Sequence, residues 1–264
     1  MDQQIENQTM HDIGPVMGVF GHLNELRVHV THAAIALLVT TIIGLVFANQ
    51  LLEFLLRPYA VSIQSGAALQ TLRPTEGIET YFRVSLLAGI ILAMPILLYE
   101  FWRFVGAGLK EQEKRYFYIF IPSALLLFGL GLAFAWYVLA PTAIYFLANF
   151  MPNIFRAEWT AQEYLSFITR LLLWIGLSFQ MPILVYIVAR AGLVTAGTMK
   201  NQWRVAIVLI AVLAAVITPS VDPVTMLLTM APLTALYILS IGLAVIGERQ
   251  FQRSMEEIES RPAI

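Results

Sequence analysis

Val205–Gly247, "VAIVLIAVLAAVITPSVDPVTMLLTMAPLTALYILSIGLAVIG", is a run of 43 residues with one charge, Asp222, inside "TPSVDP". A helix needs roughly 20 apolar residues to cross a hydrocarbon core ~30 Å thick, so this run is too long for a single span. Pro219 and Pro223 cannot continue a helix without losing backbone hydrogen bonds. The sequence therefore predicts a tight turn around Asp222 between two spans, near 204–218 and 224–246. The first of them is unusually short, at about 14 residues by the 1.5 Å rise.

Working outward, four more spans appear. Ala33–Leu52 is uncharged and closed by Pro58, giving a span near 31–54. Val84–Tyr99 gives one near 80–100, and Leu171–Ala189 one near 167–189. The uncharged run Tyr116–Phe155 is too long for one span and too short for two with a turn. Breaking it at Pro141 predicts a span near 116–140, with "TAIYFLANFMPNIF" as an interfacial or re-entrant piece. Pro95, Pro122, Pro182 and Pro232 sit inside spans, where neighbouring helices or water must satisfy the freed carbonyls. The expectation is an all-α polytopic membrane protein. It is a single integral membrane domain over 1–264, with six transmembrane helices, several kinked by proline, curved, and with short fifth and sixth spans.

Composition agrees with lipid as the solvent. The 264 residues are 59% hydrophobic and 12% charged, against about a quarter charged in soluble domains, and mean hydropathy is +0.75. With no cysteine, disulfides, thiolate catalysis and Cys-ligated zinc are excluded. The first twenty residues hold no Lys or Arg and are not expected to act as a secretory signal. Six spans put both termini on one side. That side carries eleven Lys and Arg, among them Arg27, Arg103, Lys110, Lys114 and Arg115; the other carries five, Arg57, Arg73, Arg83, Arg156 and Arg170. By the positive-inside rule both ends are cytoplasmic.

Few residues offer chemistry. The four histidines, His11, His22, His29 and His32, all lie near the N-terminus. His29 and His32 are one turn apart but lack an evident third ligand, so they read as polar residues before the first span. A serine protease is excluded, since no histidine follows residue 32 to serve a span nucleophile, and no nucleotide-binding motif is present. Neither an enzyme, a cofactor, a metal nor nucleic-acid binding is indicated. Carboxylates remain: Glu25 in "HLNELRVHV", and Glu100, Glu111 and Glu113 in "YEFWRFVGAGLKEQEKR", Tyr99–Arg115. They are either solvated helix-end charge, worth little, or a receptor for a cationic partner, since a carboxylate binds the planar guanidinium fork through two oxygens. Gln180 in "LSFQMPIL" is the polar group at membrane depth. It serves either as an interhelical hydrogen bond or as a docking group for a partner helix on a lipid-accessible face. Pro58, Pro95 and Asp222 are taken as structural.

Four stretches in order carry a resemblance: "HLNELR", "AMPILLYEFWRFVGAGLKEQEKR", "FQMPIL" and "ITPSVDPVTMLLTMAPL". Together they resemble the TatC family, the membrane subunit of the twin-arginine, Sec-independent protein translocase, over nearly the whole chain. The resemblance implies a receptor for twin-arginine signal peptides of precursors exported folded. In it Glu25 and Glu113 hold the arginines, Arg27 and Phe104 support the site, and Glu100 and Glu111, without a family counterpart, matter less. It also implies small single-span TatA- and TatB-type partners, self-association in the receptor complex, and transport driven by the proton gradient. The location implied is a bacterial or archaeal cytoplasmic membrane. Three positions depart from the family pattern: Ala107 replaces a proline, His29 an arginine, and Gln180 a glutamate. A secondary transporter for a small solute is the alternative, but it calls for several charged residues inside spans.

Overall fold

The computed structural model describes residues 19–62, 69–106, 117–151, 153–154, 159–218 and 222–259. Among them the regular secondary structure is helical, with one isolated bridge between Gln70 and Thr160. We label the helices α1 (Val19–Val46), α2 (Ala48–Ser62), α3 (Glu76–Gly106), α4 (Phe117–Phe134), α5 (Ala140–Ala148), α6 (Ala161–Ser178), α7 (Met181–Arg190), α8 (Ala196–Asn201), α9 (Trp203–Ile217) and α10 (Pro223–Glu259).

All six predicted spans have helical counterparts, and the departures have local causes. Pro58 does not close the first run: it is buried inside α2, which continues to Ser62. The helical run is interrupted earlier, at the single turn residue Phe47, where Phe47 N still donates to Ile43 O and Leu51 N to Phe47 O. These bonds carry the ladder through the junction.

The predicted break at Pro141 is likewise absent. A π-helical segment, Ala135–Leu139, joins α4 to α5, and the apolar rod runs unbroken over Phe120–Ala148. Its widened turn passes the Ala140 N–H to Ala135 O. A proline lacks an N–H and its ring crowds the carbonyl four residues back; a one-residue π-bulge relieves both conflicts. Residues 142–148 of the segment expected to be interfacial are therefore the end of the third span, and 149–151 turn away from the helix.

The fourth span is interrupted. Phe179 and Gln180 form a tight turn between α6 and α7, with Gln180 N donating to Leu177 O at 2.9 Å. Pro182, two residues later, cannot donate to the Ser178 carbonyl, so the α ladder restarts there.

Of the last two spans only one is short. α9 has 15 residues, about 22 Å at 1.5 Å per residue, whereas α10 has 37, with its apolar portion reaching Arg253. Asp222 caps that long helix. Its Oδ1 accepts from Thr225 N at 2.7 Å, and its Oδ2 accepts from the Thr225 hydroxyl. The 219–221 part of the turn lies outside the described residues.

α6 is the centre of the packing. Ile168, Leu171 and Ile175 are fully buried, and α6 touches α3, α4 and α9. α1 packs along α3, and α10 along α7. Exposed apolar side chains run along α1 (Ile35, Leu38, Ile42) and α9 (Val205, Val208, Val212). In a membrane these are lipid-facing stripes, where exposure carries no penalty.

Small residues allow the α1–α3 pair to close. A Cβ on Gly44 would lie 2.5 Å from the Ser85 carbonyl, and one on Gly89 would meet the Thr41 backbone. Thr40 Oγ1 donates across the pair to Gly89 O at 2.8 Å. Small residues with an interhelical hydroxyl bond are the usual means of close helix approach in lipid.

Candidate functional site

The α1–α3 pair runs antiparallel in a steady register: Gly44 faces Ser85, Thr40 faces Gly89, and His29 faces Glu100. Followed one further turn, this register brings Glu25 level with Phe104. The beginning of α1 and the end of α3 thus share one face of the molecule, here the proximal face. α3 has 31 residues, about 46 Å by helical rise, so it overhangs a ~30 Å core and lifts its last turns to the boundary.

Charge and aromatic groups gather on those turns. His29 Nδ1 lies 2.5 Å from Glu100 Oε2, and His32 Nδ1 lies 3.3 Å from Glu100 Oε1. The His29 ring meets the Phe104 ring edge-on at 6.2 Å. Glu100 is buried at 7% exposure, while Arg27 and Arg103 are exposed. No metal-binding arrangement of three His, Cys, Asp or Glu occurs among the described residues; the short imidazole–carboxylate contact leaves no room for an ion between them.

The structure thus brings Glu25, Arg27 and Phe104 to one end of one helix pair. Glu113, with Ala107, Lys110, Glu111, Lys114 and Arg115, lies outside the described residues. Glu100, His29 and His32 were each noted in the sequence, but their pairing was not, because His29 and Glu100 are 71 residues apart and neither side has a motif signalling the other.

Gln180 is not on an open face. It is 8% exposed, and its Nε2 donates to Ala124 O at 2.9 Å. The turn before α7 points the amide into the bundle, where it ties the interrupted fourth span to α4. Pro95 is exposed, within α3.

On the opposite, distal face Glu76 is a further polar centre that the sequence did not mark. It is 1% exposed. Its Oε2 accepts from Leu72 N at 2.9 Å and Arg73 N at 3.3 Å, and its Oε1 accepts from Gln162 N at 2.8 Å. One carboxylate therefore satisfies two donors of the loop leading into α3 and an orphan donor in the first turn of α6. Thr160 and Glu163 complete a capping box on α6, and Ala161 N donates to Gln70 O. This is a structural clasp.

The chain matches the family model for Sec-independent protein translocase protein (TatC) over residues 21–232. It belongs to the TatC family. The TatC protein of Xylanimonas cellulosilytica is 37% identical over 235 residues, covering 88% of this chain and 85% of that one. A Helicobacter pylori TatC is 36% identical, covering 84% and 87%. The chloroplast TATC of Arabidopsis thaliana is also 36% identical, covering 84% of this chain and 64% of its own length. The crystal structure of a twin arginine translocase receptor, TatC, superposes with a TM-score of 0.79 at 35% identity, covering 86% of this chain and 99% of that one. This TatC-family chain is accordingly a multi-pass membrane protein and a component of a Sec-independent protein translocase, with the six-span fold of that receptor. Family membership displaces the small-solute transporter alternative.

Proposed function

We propose that this TatC-family chain is the receptor that binds twin-arginine signal peptides of folded precursors at its proximal face. The supporting observation is the antiparallel register that carries the Glu25 and Arg27 turn of α1 beside Phe104 of α3, with His29 touching both Glu100 and Phe104. In this reading Glu25 and Glu113 hold the two guanidinium groups, each offering two oxygens to a planar fork. Phe104 supplies an aromatic face for a cation, and Arg27 sets the position of the acids. The proximal face is then cytoplasmic, as the Lys and Arg asymmetry expects, and the membrane is the cytoplasmic membrane of a bacterium or archaeon. Single-span TatA- and TatB-type subunits assemble around the bound receptor, with further copies of this chain, and the proton gradient drives transport.

Photo-crosslinking of a twin-arginine peptide to the chain in native membranes, beside a twin-lysine control, tests the reading. Strong labelling by the arginine peptide alone is expected, because a lysine ammonium cannot reproduce the two-pronged contact. Equal labelling by both peptides would refute it.

A further inference from the structure

Glu100 is a carboxylate in an unusual position: buried, at the proximal end of α3, and paired with two imidazoles. Its side chain is 10% exposed, and both oxygens are taken by imidazoles, His29 at 2.5 Å and His32 at 3.3 Å. A buried carboxylate requires a good partner, since desolvation outweighs a poor one. Each imidazole gives the carboxylate a single ring nitrogen, where a guanidinium fork gives two parallel donors. Arg27 and Arg103 stand exposed nearby, yet among the described residues the ion pairs of Glu100 are with the two histidines.

Resting on the peptide-binding reading above, we propose that Glu100 is a third acid of the peptide site, covered by His29 and His32 while the site is empty and taken over by a guanidinium of the incoming peptide. The exchange is favourable because a guanidinium is a permanent, planar cation with two parallel donors. Each imidazole brings one nitrogen to the carboxylate. The histidines are placed to leave. His32 is 50% exposed and sits at the rim, so the exchange begins there, and the His29 side chain, 12% exposed, follows by a change of rotamer. A cation in the space of His29 would lie about as far from the Phe104 ring as the imidazole does, 6.2 Å, at the outer edge of cation–π range.

A fixed clamp between α1 and α3 predicts otherwise. If the cluster only held the helices together, removing either partner would have the same sign of effect. If the histidines compete with the ligand, the two removals act in opposite directions.

The test uses the full chain purified in detergent and synthetic peptides bearing Arg-Arg or Lys-Lys, with affinity read by fluorescence anisotropy on the monodisperse fraction. Glu100→Gln keeps the volume and an acceptor oxygen but loses the charge. It should weaken the Arg-Arg peptide by about tenfold or more, the usual size of a charged hydrogen bond. The paired substitution His29→Ala with His32→Ala should tighten binding several-fold. Unaltered affinity in Glu100→Gln, or unaltered or weakened affinity in the histidine variant, would overturn the proposal. Loss of the Arg-Arg preference in the unmodified chain strikes the parent reading. Retained preference, with Glu25→Gln weakened and Glu100→Gln unaffected, strikes only this one.

Discussion

Gln180 is a polar group at membrane depth, and the structure shows what an amide does there. It is buried at 8% exposure and donates to a backbone carbonyl of α4. Interhelical hydrogen bonds in lipid are worth modest energies, because the alternative states also find partners. Gln180→Leu should therefore lower the thermal stability of the detergent-solubilised chain by about 1 kcal/mol and leave peptide affinity intact. A variant with unchanged stability but altered assembly would show that the amide faces a partner after all. The candidate acids differ in how legible they were. Glu25 stood out as a lone carboxylate before an apolar run, a local signal. Glu100 sits one helical turn before Phe104 and was equally visible as a residue, but its meaning depends on α1, across a contact that no local pattern encodes. Glu76 was hidden for the same reason: its acceptors serve the loop before α3 and the first turn of α6, where Gln162 is 86 residues away.

At the scale of elements, hydropathy located the spans because lipid admits only backbone that is hydrogen-bonded within its own segment. Prolines were misread at two places. Pro58 and Pro141 were expected to end helices and do not. A membrane helix can keep its course past a proline by a bend or a π-bulge, and which of these occurs is set by the packing neighbours. The short fifth span was legible, because the two prolines around Asp222 leave too few residues on one side. The length of α10 was not: its last turns, Glu248–Glu259, are charged and hidden from a hydropathy reading. They continue because Gln250 Oε1 accepts from the Tyr186 hydroxyl and from Arg190, and Glu248 accepts from Ala196 N. α9, at 15 residues, is shorter than a ~30 Å core demands, so the bilayer should thin beside it. Inserting five leucines into α9 should impair export of a twin-arginine reporter while membrane insertion stays normal. Full export in that variant would remove any role for the mismatch.

Across the whole molecule, α6 links α3, of the α1–α3 pair, to α10, of the α7–α10 pair. One face carries the charged ends of α1 and α3, and the other the Glu76 clasp. Reporter fusions after Gln64, Lys110 and Glu158 should read outside, inside and outside; a fusion at Lys110 reading outside would invert the proposed orientation. The central claim is that this proximal face holds an arginine pair between Glu25 and Glu113. The most direct measurement is a double-mutant cycle on the affinity of a twin-arginine peptide for Glu25→Ala, Glu113→Ala and the double variant. Each single change should weaken binding on the order of ten- to a hundredfold, at roughly 1.5–3 kcal/mol per charged hydrogen bond, and the double variant should lose less than the sum if both acids grip one ligand. Peptide affinity unchanged by either substitution, with the protein folded and inserted, would contradict the account.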